Sequence, residues 1–157
     1  MNISDEYTIT VLQTLLNHSI DFLIVGGYAV NYYGFRRTTG DIDVWLKPDN
    51  AIKPNLINAF RSLGIKEPIL KEIERFDFTK MLVFSDGEAP FKIDFITEIS
   101  GVGFNEAWNA KEYVLLNNLD IPFIHYNHLI ASKISSSRLK DKLDVEELQK
   151  INNKKEQ

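Results

Sequence analysis

Apolar residues recur at three- and four-residue spacing through Ile9, Val11, Leu12, Leu15 and Leu16, which predicts an amphipathic helix over Asp5 to His18. The unbroken apolar run Phe22-Leu23-Ile24-Val25 stops at Gly26-Gly27, the pattern of a buried strand entering a tight turn. Residues 28–34 read as a short helix stopped by Gly34. From Asp41 to Leu46 polar and apolar positions alternate, predicting a strand with Asp41, Asp43 and Trp45 on one face and Ile42, Val44 and Leu46 on the other. Lys47-Pro48-Asp49-Asn50 punctuates the chain before a helix that runs to Leu63, with Gly64 as its stop.

Residues 76–84 and 91–97 predict two more strands, and Asp86-Gly87 in the segment between them signals a hairpin. A helix is expected over Phe104 to Lys111. Val114 to Leu116 and Ile121 to Ile124 would supply an edge strand or a pair. Past Asn127 the pattern is helical again: Leu129, Ile130 and Ile134, then Leu139, Leu143, Leu148 and Ile151. Ser135-Ser136-Ser137 marks a break between two helices, and Asn152 to Gln157 should fray. The order predicts an α/β (α+β) fold, a mixed sheet with flanking helices and a C-terminal helical tail. Residues 1–125 would form the core and 126–157 a helical extension packed on it.

With no cysteine, disulfide frameworks, thiolate zinc sites and cysteine nucleophiles are excluded, and a reducing, cytoplasmic location is compatible. The net charge of −4 argues against coating nucleic acid by bulk electrostatics while leaving room for a local basic groove. Met1 to Tyr7 lacks a positive region followed by an apolar one, so no secretory leader is expected. No apolar run approaches the ~20 residues that cross a bilayer, so no membrane partner is expected.

The chemistry concentrates in Val25-Gly26-Gly27 and Asp41-Ile42-Asp43-Val44. Two carboxylates on one strand face stand roughly 6.7 Å apart at the Cα level, close enough to converge on metal ions. Their mutual repulsion and desolvation are relieved by a bound dication, and carboxylate oxygens are natural ligands for magnesium. A bare Asp-x-Asp more often faces water. The reading shifts because Phe91-Lys92-Ile93-Asp94-Phe95-Ile96 offers a third carboxylate on another strand. A strand ending in Gly26-Gly27 and opening a helix presents free backbone N–H groups to which a phosphate can come close.

This pattern resembles the nucleotidyltransferase superfamily with the DNA polymerase beta fold: a hydrophobic residue, Gly-Gly, a spacer, then Asp-hydrophobic-Asp-hydrophobic, with a later strand carrying a third acid. The lead-in Arg36-Arg37-Thr38-Thr39-Gly40 is similar to that of stand-alone bacterial members that include the AbiEii-type toxins. So are Ile130-Ala131-Ser132-Lys133, Arg138-Leu139-Lys140-Asp141 and Asp144. The likeness covers residues 22–97 well and 126–148 more loosely. Gly27 replaces the serine some members carry, so no hydroxyl is offered there.

The resemblance implies that Asp41, Asp43 and Asp94 are catalytic and hold two Mg²⁺ (or Mn²⁺) ions. It implies that Gly26 and Gly27 bind the nucleoside triphosphate through backbone amides. The implied reaction moves a nucleoside monophosphate from NTP, ATP among them, to a hydroxyl of a protein, an RNA 3′ end or a small molecule. A toxin-like role would add a partner protein of a toxin–antitoxin pair. The rival readings are a non-catalytic nucleotide- or partner-binding module and an antitoxin subunit of the same fold.

Arg37 can bind triphosphate oxygens bidentately or pair with Asp41 or Asp43; Arg36 is expected to be solvated. Lys133 lies one turn past Leu129 and either reaches the cleft as a nucleotide ligand or runs along the surface. Asp141 and Asp144 are read first as local helix partners of Arg138 and Lys140. Tyr28, Tyr32, Tyr33 and Phe35 are expected mostly in packing, and Trp45 as a shield at the sheet edge. His18, His125 and His128 have no metal-ligand spacing.

Overall fold

The computed structural model describes residues 5–156; the readings made for Met1 to Ser4 and for Gln157 lie outside them. Helix α1 (Glu6–Asn17) begins where Asp5 accepts hydrogen bonds from the Thr8 backbone N–H (3.0 Å) and hydroxyl (2.8 Å). That satisfies one of the orphan donors of the first turn. Its buried stripe is Val11, Leu12 and Leu15. Strand β1 (Phe22–Val25) is buried throughout and passes directly into α2 (Gly26–Tyr32), two residues earlier than the sequence pattern suggests. Strand β2 (Ile42–Leu46) leaves Asp41 just before its first residue.

Helices α3 (Lys53–Ser62) and α4 (Glu67–Arg75) follow. The second has no counterpart in the sequence reading, because its buried residues are only Leu70 and Ile73 among nine mostly polar positions. Strand β3 spans Val83–Asp86, not 76–84. Residues before it are diverted by Asp77, whose Oδ1 accepts from the Thr79 N–H (3.0 Å), the Thr79 hydroxyl (2.6 Å) and Asn50 Nδ2 (3.1 Å). Such side-chain-to-backbone bonding competes with a strand ladder. Strand β4 (Ile93–Ile96), helix α5 (Phe104–Asn109), the hairpin β5 (Glu112–Leu116) and β6 (Leu119–Phe123), and helices α6 (Tyr126–Ser135) and α7 (Leu139–Lys155) complete the chain.

The strands form one mixed sheet in the order β3-β4-β2-β1-β6-β5. β2 runs antiparallel to β1 and parallel to β4, while β1 and β6 are parallel. Residues that oppose each other across a ladder share a face. Ile42, Val44, Ile93, Phe95 and Phe84 therefore lie together on one side, where Phe84 stacks on Phe95 (5.3 Å) and Phe60 of α3 meets Phe95 edge-on (5.3 Å). On the opposite side stand Val25, Asp43, Trp45, Asp94, Ile96 and Ser85. β2 sits in the sheet interior, so Trp45 does not shield an edge. It is 1% exposed and packs edge-on against Phe104 of α5 (5.2 Å).

Helix α7 turns a largely polar face inward. Leu139 and Leu143 of α7 are exposed, at 81% and 49%, whereas Asp141, Asp144 and Leu148 face inward. Among the described residues, no helix is long and apolar enough to cross a membrane. The aromatic layer, with Phe95 fully buried in it, supports the site-bearing strands. Phe95→Ala should lower unfolding free energy by about 3–5 kcal/mol, read as a drop in the urea midpoint at unchanged slope.

Candidate active site

In-register pairing of the parallel strands β2 and β4 sets Asp43 beside Asp94, and pairing with β1 sets Asp43 opposite Val25, the last residue before Gly26. Gly26 has φ +67°, and a Cβ there would lie 2.0 Å from Asp43 Oδ2. Only glycine permits this approach of backbone to carboxylate. At Gly27 a Cβ would stand 2.3 Å from Thr39 Oγ1 and 3.5 Å from an Arg37 guanidinium nitrogen. Gly26 is thus required by both its φ and this approach, while Gly27 packs closely on the Thr39 side chain with the guanidinium edge beside it.

Asp43 is pushed up from the ordinary 3.8 to about 6, first by burial, then by the charges of Asp94 and Asp41. Lys133 and Arg138 pull it partly back. Asp94 Oδ1 accepts from Ser85 Oγ (2.5 Å) and lies 3.3 Å from Lys92 Nζ, which is also 3.6 Å from Asp41 Oδ2. Among the described residues, no group of three or more His, Cys, Asp or Glu side chains is gathered as it stands to hold a metal ion. The donor chemistry nevertheless suits one: the hard carboxylates of Asp43 and Asp94 share a register position with Asp41 nearby, and the Asp43 carboxylate lies against the Gly26 backbone with no cation in ion-pair distance among the described residues.

A cavity of about 330 Å³ opens over this face. Val25, Gly26, Asp43, Ile96 and Glu98 line it from the sheet side, and Leu129, Ser132, Lys133, Arg138 and Asp141 from the helical side. Lys133 is only 7% exposed. Its Nζ lies 2.8 Å from Asp141 Oδ1 and 3.0 Å from Asp144 Oδ2. Asp144, wholly buried, also accepts two hydrogen bonds from Arg37, Nε at 2.8 Å and a terminal nitrogen at 3.0 Å. Burial alone would raise the Asp141 carboxyl, but hydrogen bonds from Arg138, Lys133 and Ser136 carry it well below the usual carboxylate range.

A family model described as "Nucleotidyl transferase of unknown function (DUF2204)" matches residues 4–157. The chain belongs to this nucleotidyltransferase family. No curated protein is significantly similar to it in sequence. Among solved structures it is similar to the lincosamide antibiotic adenylyltransferase LnuA with lincomycin bound. That likeness has a TM-score of 0.53 at 13% identity, covering 96% of this chain and 99% of that one. A Thermotoga maritima protein assigned as a nucleotidyltransferase aligns with a TM-score of 0.49 at 15% identity, over 94% of this chain and 91% of that one. The first of these bears out the polymerase-beta-like fold.

Of the residues singled out in the sequence, Gly26, Asp43 and Lys133 line one cavity of this nucleotidyltransferase, with Gly27 and Arg37 adjoining. Asp41 and Asp94 lie beside Asp43 but do not line that cavity; they meet at Lys92 instead. Arg37 pairs with neither Asp41 nor Asp43 but with Asp144, and Arg36 is exposed. Asp141 does pair with Arg138 as expected, whereas Asp144 is a buried hub. The signal for that hub was spacing: Asp141, Asp144 and Leu148 recur at three and four residues, one inward face of α7. Tyr33 donates to the Ile124 carbonyl (2.7 Å) and packs on Tyr32 and Tyr126, a structural role. His125 accepts from the Asn127 N–H at the start of α6, and His128 lies 3.4 Å from Glu106.

Asp43, half-buried, and Asp144, wholly buried, should respond oppositely to removal. Because the folded-state value of Asp43 lies above its unfolded one, folding favours its protonated form. Its charge costs nothing below about pH 3.8 and progressively more as pH rises through 6. Asp43→Asn should therefore be more stable than wild type at pH 7.5 in chelator, by up to about 3 kcal/mol for a shift of roughly two units. The advantage should vanish in melts near pH 4. Asp144→Ala strips Arg37 of its ion-pair partner and leaves Lys133 with Asp141 alone, and should cost about 3–5 kcal/mol, visible by denaturant titration at neutral pH.

Proposed function

We propose that this nucleotidyltransferase moves a nucleoside monophosphate from a nucleoside triphosphate to a hydroxyl acceptor in a metal-dependent reaction, the acceptor oxygen bonding to the α-phosphorus as pyrophosphate leaves and the hydroxyl proton passes to solvent, with Asp41, Asp43 and Asp94 as the acidic centre. The observation that carries the reading is the convergence at Asp43: its in-register partner is Asp94, and the Gly26 backbone closes over its carboxylate. Asp41, Asp43 and Asp94 would hold Mg²⁺ or Mn²⁺. When bound, the ions supply charge neutralisation and Lewis-acid polarisation at the phosphates.

The chain's own groups divide the remaining work. Gly26 and Gly27 admit a phosphate to the backbone at the opening of α2. Arg37 keeps part of its guanidinium edge beside Gly27 while Asp144 fixes the rest. Lys133 is held at the cavity wall by two carboxylates that use two of its three donor directions. Arg37, Lys133 and Arg138 set three positive charges against two negative ones on Asp141 and Asp144. The surplus suits a triphosphate facing the acidic centre. Positioning and charge complementarity would supply most of the rate enhancement.

The acceptor is a hydroxyl of a protein, an RNA 3′ end or a small molecule, and the resemblance of the lead-in and tail segments to AbiEii-type members supports a toxin-like version of this chemistry. The purified protein incubated with each α-³²P-NTP, Mg²⁺ or Mn²⁺ and cell lysate should label one of these classes, and chelator should abolish the label. Calorimetry should show metal-dependent NTP binding that falls at least a hundredfold in Asp41→Asn/Asp43→Asn. Undiminished binding in that double variant, together with no labelling by any nucleotide, would overturn the reading.

A further inference from the structure

Lys92 stands in an unusual place. It precedes β4 by one residue, its backbone carbonyl accepts from the Ile42 N–H (3.2 Å), and its side chain turns to the acidic face rather than to open solvent. The ammonium lies 3.3 Å from Asp94 and 3.6 Å from Asp41. Asp43, between them in the sheet, has no cation within ion-pair distance among the described residues. The Lys92 side chain is 35% exposed, so it is neither locked in the core nor freely solvated. Two of the three carboxylates are thus already served by a monovalent charge belonging to the chain.

We propose that Lys92 is a resident counter-cation that a divalent ion must displace, so that metal enters this site together with the nucleotide rather than ahead of it. The inference rests on the acidic-centre reading given above. Its physical basis is competition. A dication approaching Asp41 and Asp94 gains their attraction but meets the ammonium within a few ångströms, and like charges at that range repel. Free metal therefore binds weakly. A nucleotide triphosphate changes the balance, because its phosphate oxygens attract both the ion and the displaced lysine. The four-carbon stem lets the ammonium move without disturbing β4. Lys92 is in this sense a positioning residue: it keeps Asp41 and Asp94 oriented and charge-compensated while metal is absent.

The test is Mn²⁺ binding by calorimetry or paramagnetic resonance on the full chain without nucleotide, for wild type, Lys92→Met and Lys92→Arg. Lys92→Met should bind Mn²⁺ at least tenfold more tightly than wild type, and in chelator it should melt at a lower temperature. Lys92→Arg, which keeps the charge, should stay within about threefold of wild type. Lys92→Gln serves as a second neutral variant should the methionine protein fold poorly. Mn²⁺ affinity in the neutral variants equal to or weaker than wild type overturns the inference, as does equal tightening in Lys92→Arg. Asp43→Asn in the Lys92→Met background separates the two readings. If tight Mn²⁺ binding survives that change, the acidic centre itself is misassigned; if it is lost while wild type and Lys92→Met bind alike, only the role of Lys92 fails.

Discussion

Side-by-side pairing of two aspartates on neighbouring parallel strands is the constraint to which the rest of this molecule answers. Asp43 and Asp94 share a register position in the interior of the sheet, next to Asp41 at the strand's entry. Negative charge held there is unfavourable in the free protein, as the elevated affinity of Asp43 for its proton records. The fold tolerates it because the opposite face of the same strands is anchored by Phe95, Phe84 and Phe60. An apolar layer strong enough to hold the strands together lets the other face carry charge that does not favour folding.

The helical side of the cavity solves the converse problem. Arg37, Lys133 and Arg138 come from a loop, from α6 and from the entry to α7, and left alone they would repel one another. Asp141 and Asp144 join them into a hydrogen-bonded chain that spans these three segments. Buried ionic chains contribute little net stability compared with apolar packing, but their geometry is exacting. Here that geometry aims a small positive surplus at the acidic centre across a cavity of about 330 Å³.

Much of the architecture was legible because strong patterns coincided with simple burial. The apolar run of β1, the alternation of β2 and β4 and the glycine pair were readable from residue order, and they name the sheet side of the site. The helical side was harder. On α7 the leucines at 139 and 143 suggested a buried stripe, yet the inward face carries Asp141 and Asp144, since partners contributed from distant segments make carboxylates acceptable in the interior. The partner of Arg37 lies 107 residues away in sequence, a separation that no local rule spans. Helix α4 escaped notice because it is short and only Leu70 and Ile73 of its nine residues are buried, although the two share a face, and β3 was displaced because Asp77 captures the backbone ahead of it.

The hub at Asp144 also has a consequence for how the molecule comes into being. Chains emerge from the ribosome amino end first, at roughly 5–20 residues per second. The glycine turn and the acidic strands are therefore exposed to the cell well before the helix that steadies Arg37 and Lys133 has been made. Until that helix docks, the cationic wall lacks its fixed arrangement. The fixed pairing of Arg37 and Lys133 thus comes late, with the arrival of a single buried carboxylate.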